Sequence, residues 1–162
     1  MNRREDPELL GWREWVTLPE LGVACIKAKL DTGARTSSLH AFRMERFQQD
    51  GAEWIRFHVH PVQRSTENSL EAEAPVVDER EVRSSSGRAE LRPVIRTPVG
   101  LLGRSWPIEL TLTRRDEMGF RMLLGRQALR GRVVVDPGRS FVAGRRASKR
   151  RTPSPTSRQE HA

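Results

Sequence analysis

Asp31-Thr32-Gly33-Ala34 is the segment with the most chemical content in this chain. It follows Val23-Ala24-Cys25-Ile26-Lys27-Ala28-Lys29-Leu30, whose apolar pattern predicts a β-strand. A carboxylate on a Thr-Gly turn at a strand end suits peptide hydrolysis by paired carboxylates, one activating water and one polarising the carbonyl. Asp-Thr-Gly occurs once in the 162 residues. A second copy must therefore supply the second aspartate, or the chain does not hydrolyse peptides. An Asp after a strand also caps local backbone N–H groups, a role that needs no catalysis.

Other chemistry-bearing residues are sparse. His58-x-His60 sets two imidazoles on one predicted strand face, with no third ligand evident and no His-Glu-x-x-His run anywhere. Exposed strand histidines are the expectation there, with no metal. No Gly-rich phosphate loop ending in Gly-Lys-Ser/Thr occurs, so neither ATP nor another cofactor is expected. Cys25 is the one cysteine, which excludes an intrachain disulfide and points to a buried thiol in a reducing compartment.

The elements that must position Asp31 read as strands. Glu14–Val16 and Leu21–Leu30 flank a Leu18-Pro19-Glu20 turn, and Leu39–Gln48 leads to an Asp50-Gly51 hairpin turn. Trp54–His60 alternates, with Ile55, Phe57 and Val59 on one face. Residues 63–75 read as a polar loop. Val76–Arg83 and Arg88–Ile95 form a second hairpin with Ser84-Ser85-Ser86-Gly87 at its tip. Trp106–Thr113, Met122–Leu124 and Val133–Asp136 are further strands, and Gln127–Arg130 is one helical turn. Short strands with regular turn signals predict a small closed all-β domain.

At this length one domain is expected, spanning residues 12–142 behind a flexible stretch, 1–11. Of the net charge of +8, residues 143–162 carry +5, with six basic residues against Glu160. That Ser/Pro/Arg-rich tail has almost nothing apolar to bury and is expected to be disordered, touching RNA or a ribosomal surface only through weak electrostatics. No apolar segment suggests a leader peptide or a membrane span, so a cytoplasmic, soluble protein is expected. Four tryptophans without one tyrosine have no explanation at this level.

Leu123-Leu124-Gly125-Arg126-Gln127-Ala128-Leu129, about ninety residues after the Asp-Thr-Gly turn, makes the pattern specific. Strand, Asp-Thr-Gly-Ala, hairpin and then Leu-Leu-Gly-Arg, in that order, resembles the retropepsin core over roughly residues 12–142. Lys29–Ala41, Val82–Gly87 and Met122–Arg126 together resemble a bacterial, RimB-like branch of retropepsin-like aspartic endopeptidases. Many members of that branch are labelled ATP-dependent zinc proteases, a name to which the residues here give no support.

The resemblance implies an all-β, retropepsin-like closed barrel with one short helix, a single lobe that pairs as a homodimer. Asp31 would then be catalytic, and Thr32, Gly33 and Ala34 would support its loop, with Thr32 hydroxyls bonding across the interface. The resemblance also implies that Leu124, Gly125 and Arg126 brace that loop, and that Ser85, Ser86 and Gly87 sit at a flap over the peptide. Association with an ATP-grasp glutamate ligase and a ribosomal protein is implied in the same way.

One position departs from the pattern. Where viral members carry an acidic residue paired with the Arg of Gly-Arg, this chain has Arg35. Arg126 must therefore find another partner, and Arg35 either binds acidic substrates by charge-assisted hydrogen bonds or is a plain surface arginine. The competing expectations are an inactive peptide-binding or ligase-regulating module and a ribosome-associated protein acting through its tail.

Overall fold

The computed structural model describes residues 6–61, 69–83, 86–114 and 119–144. Alternation of apolar and polar residues fixes most strands. In β5 (Ala52–Val59), Ile55, Phe57 and Val59 are buried while Arg56 and His58 face outward. In β8 (Arg104–Thr113), Trp106, Ile108, Leu110 and Leu112 point into the core. The other strands are β1 (Glu8–Leu18), β2 (Val23–Leu30), β3 (Ser37–His40) and β4 (Phe42–Gln49). They are followed by β6 (Leu70–Arg83), β7 (Ala89–Leu101), β9 (Met122–Leu124) and β10 (Val133–Ser140). A 3-10 turn, Pro19–Leu21, joins β1 to β2, and α1 (Arg126–Leu129) is the one α-helix among the described residues. The expectation of a mostly β chain with one short helix holds.

The strands pair in the order β10-β1-β2-β9-β3-β8-β7-β6-β5-β4. Thr17 of β1 also pairs with Gly100 of β7, so β1, β2, β9, β3, β8 and β7 form a circuit of pairings. Its interior holds Leu18, Ile26, Leu39, Leu110, Leu112 and Leu124 in one continuous core. Strands β6, β5 and β4 extend the sheet beyond the circuit, and Arg46 bridges Glu53 and Glu79 across their exposed face. Cys25 is buried, as its apolar context predicted.

Four boundaries differ from the sequence reading. Residues 1–5 lie outside the described part, but the expected flexible stretch ends earlier, because β1 starts at Glu8 opposite Val133 and Leu10 is fully buried. A bulge between Gly11 and Arg13 breaks the alternation that would have revealed this strand. Leu39–Gln48 is two strands, parted at buried Ala41, with Arg43 just inside the second strand at a φ of +50°. Residues 62–68 lie outside the described part, yet Leu70–Pro75 is strand rather than polar loop. Its inward residues are Ala72 and Ala74, too small to announce a strand between outward Glu71 and Glu73. The expected tail lies outside the described residues from position 145 onward, while Ala143 and Gly144 still belong to the packed domain.

Glu14, unnoticed in the sequence beyond opening a strand, is fully buried. Its carboxylate accepts N–H bonds from Gly11 at 2.7 Å, Val142 at 2.9 Å and Ala143 at 3.0 Å, fastening the end of the domain to β1. Removing it strands one buried and two partly buried donors, at a cost of roughly 1–3 kcal/mol for a buried one and less for the others. Glu14→Ala is therefore expected to lower unfolding free energy by about 3 kcal/mol or more in urea denaturation. Glu14→Gln, which keeps one acceptor oxygen, should lose less.

Candidate active site

Asp31 stands at the carboxyl end of β2, where it is held by β9. The two strands run parallel with Ala28, Lys29 and Leu30 opposite Met122, Leu123 and Leu124. The ladder continues one step further, with Asp31 N–H donating to the Leu124 carbonyl at 2.8 Å. Buried Leu30 and Leu124 anchor this end in the core. Asp31 itself is half-buried, and the chain turns sharply after it. Gly33 N–H donates to Asp31 Oδ1 at 3.0 Å and Ala34 N–H to the Asp31 carbonyl at 3.2 Å. Gly33 does not adopt a left-handed φ. Its lack of a side chain matters because a Cβ there would meet Asp31 Oδ1 at 3.2 Å.

The turn leaves carbonyls without partners of its own, and α1 supplies them. The first N–H groups of a helix have no intrahelical acceptor. Here Arg126 N–H donates to the Ala34 carbonyl at 2.8 Å and Gln127 N–H to the Arg35 carbonyl at 3.1 Å. The Arg126 guanidinium donates from Nη1 to the carbonyls of Thr32 and Gly33, each at 3.0 Å. The partner that the sequence reading required for Arg126 is thus the backbone of the Asp-Thr-Gly turn.

Two further residues complete the brace. Gly125 N–H donates to Ser37 Oγ at 3.0 Å inside the protein. A Cβ at Gly125 would overlap the backbone of Thr36, so only glycine lets the two segments come this close. Ser37 is buried and was given no role from sequence, because a serine in a polar run carries no signal until its partner is known.

Asp31, Thr32, Gly33, Ala34, Leu124, Gly125 and Arg126 therefore form one bonded cluster, with Arg35 exposed beside it. The flap residues are not part of that cluster. Ser86 and Gly87 are exposed at the tip of the β6–β7 hairpin, and Ser85 lies outside the described residues.

The histidines do not form a metal centre. His60 stacks on Phe42 at 4.2 Å between ring centroids, with His58 at 5.5 Å from the same ring. Both are half-buried by this stack rather than exposed as expected. His40 lies 6.3 Å from His60, with its ring stacked rather than convergent. Among the described residues no three His, Cys, Asp or Glu side chains are grouped so as to hold a metal ion. Zinc does not fit these residues, and no chemical step is assigned to it.

Comparison with known proteins agrees with the geometry. Residues 9–146 match the RimB-like family model, described as "Retropepsin-like aspartic endopeptidase RimB". A "Probable alpha-L-glutamate ligase" of Parasynechococcus marenigrum is 54% identical over 136 residues, which are 84% of this chain and 29% of that protein. Its namesake in Desulfotalea psychrophila is 47% identical over 137 residues, 85% of this chain and 30% of the relative. The chain thus spans about 30% of the length of these curated relatives. A solved structure of Lpg0085 from Legionella pneumophila, of unknown function, is 28% identical with a TM-score of 0.69, covering 83% of this chain and 97% of that one.

Because the brace depends on close approach, Gly125→Ala should push the Thr36 segment away and cost about 1–3 kcal/mol of stability. Urea denaturation checks this, and an unchanged midpoint would contradict the packing described.

Proposed function

As the chain belongs to the RimB-like family of retropepsin-like aspartic endopeptidases, we propose that Asp31 is half of a catalytic carboxylate pair completed by a second copy. The supporting observation is the braced turn, which presents a half-buried carboxylate at a strand end and spends Arg126 on the turn's own carbonyls. Two such turns facing across a two-fold axis would bring the aspartates together, where they hold one proton between them. The ionised carboxylate removes a proton from water as its oxygen attacks the scissile carbonyl carbon. The protonated partner donates to the carbonyl oxygen, giving a neutral gem-diol. Breakdown returns one proton to a carboxylate and delivers the other to the leaving nitrogen as the C–N bond breaks. The Thr32 hydroxyl, exposed on the turn, is available to bond across that interface.

Arg35 gives the pair a substrate preference. With Arg126 bonded to the turn, the exposed Arg35 side chain adds positive charge beside Asp31. Acidic peptides are the matching substrates, and the hairpin tip at Ser86 and Gly87 would close over them. A second reading has its own support. The relatives named glutamate ligases contain this segment as about 30% of their length, which favours a domain that works alongside a glutamate ligase. Cleavage of glutamate-rich chains and service to a ligase are compatible, and a modified ribosomal protein would suit both as substrate. No helix among the described residues is long and apolar enough to cross a membrane. We assign the protein to the cytoplasm on its single cysteine and its proposed partners.

Asp31→Asn is expected to lower cleavage of glutamate-rich peptides at least about a hundredfold, followed by mass spectrometry, without shifting the melting temperature. Wild-type specific activity should rise with protein concentration. A wild type that binds such peptides but never cleaves them would favour the non-catalytic module instead. Arg35→Asp should abolish or reverse the preference for acidic over neutral peptides; an unchanged preference would exclude Arg35 from recognition.

A further inference from the structure

The flank made by β1 and β10 carries features that the peptidase reading does not use. Leu9 and Val134 pair in register across the two strands and are 46% and 49% exposed. Leu102, at the tip of the β7–β8 hairpin, is 41% exposed. That hairpin is tied to β1 by the Thr17–Gly100 pairing and by Arg104 against Glu8 at 3.4 Å. Three of the five exposed large hydrophobics among the described residues thus gather around β1. Beside them Trp15, Thr17, Pro19, Leu102 and Gly144 line an open groove of about 600 Å³. β10 is also an end strand of the sheet, and Val133-Val134-Val135 carries no charge. Monomers usually guard such an edge with charge or proline; Asp136, Pro137 and Arg139 do so for the second part of β10, and the exposed apolar surface left on its first part is of the kind that marks contact sites.

The flank is firmly built. The Trp15 ring stacks on Phe141 at 5.4 Å and 14°, and the Arg13 guanidinium lies over both Phe141 and Trp12. On the inner side Glu14 holds Val142 and Ala143. Trp15 thus helps to hold the segment after β10 against β1.

The occupant is indicated by where the domain starts and ends. β1 begins at Glu8, and Phe141–Gly144 returns to Trp15 and Glu14 on the same flank. In the glutamate-ligase relatives about 70% of the polypeptide lies outside the matching segment, and it must continue from the counterpart of one of these ends. Tethering there puts the second domain next to this flank at high effective concentration.

We propose that the β1–β10 flank, centred on Leu9 and Val134, is the docking face for a glutamate-ligase polypeptide. This rests on the ligase-linked reading above. The probe is the part of the Parasynechococcus relative outside the matched 136 residues, titrated with the whole 162-residue chain in a binding assay. Leu9→Glu combined with Val134→Glu should weaken binding by about tenfold or more, with melting and Asp31-dependent cleavage retained.

Unchanged binding by that double variant overturns the docking face while leaving the ligase reading intact. No binding by the wild type overturns both, whether or not cleavage persists. A variant that dissociates the homodimer yet still binds the ligase portion assigns the face to a second copy and overturns the proposal. Chemical cross-linking of the intact relative provides an independent check that needs no isolated ligase portion. Cross-links from the β1 and β10 counterparts to the remaining polypeptide are expected, and links confined to other strands would overturn it.

Discussion

The carbonyls of Thr32 to Arg35, in the turn after β2, find their donors on α1, and the candidate active site depends on how α1 meets them. Two helix-starting N–H groups and one guanidinium take the carbonyls of Thr32, Gly33, Ala34 and Arg35. The contact spans more than ninety residues of sequence, so it exists only once β9 has paired with β2. Fold and site are therefore one event: the ladder that ends at Leu30–Leu124 continues through Asp31 and delivers the helix to the turn. Four direct bonds to one short turn leave it little freedom, which is the condition under which a carboxylate is useful for catalysis.

Arg126 shows how the turn keeps its support when its neighbour is basic. A basic residue at position 35 cannot serve as its ion-pair partner, yet the guanidinium Nη1 donates to two backbone carbonyls. The turn keeps its support, and Arg35 is left exposed beside it. The charge of the site changes sign at one residue while its geometry is held by bonds that do not depend on that charge.

Much of this was legible in the chain itself. The alternation in Trp54–His60 and Trp106–Thr113 marked strands, and the order of Asp31-Thr32-Gly33 and Leu124-Gly125-Arg126 marked their meeting. What escaped was whatever depended on partners distant in sequence. Leu70–Pro75 looked like loop because its inward residues are alanines, and only pairing with β5 makes it strand. β1 was cut short because its bulge at Gly11–Arg13 hides the period. Ser37 and Glu14 gave no sign of their roles, since each bonds to a backbone N–H far along the chain. The histidine pair read as exposed because Phe42, which covers it, belongs to a strand whose start was misplaced.

The central claim is that two copies of Asp31 share one active site, and subunit mixing tests it most directly. Wild type is combined with Asp31→Asn chains at fixed total concentration, allowed to exchange, and assayed for cleavage of a glutamate-rich peptide. If mixed dimers are inactive, activity falls as the square of the wild-type fraction, leaving about a quarter at an equal mixture. A linear fall, with half the activity remaining, would mean that each chain carries a complete site and would contradict the account.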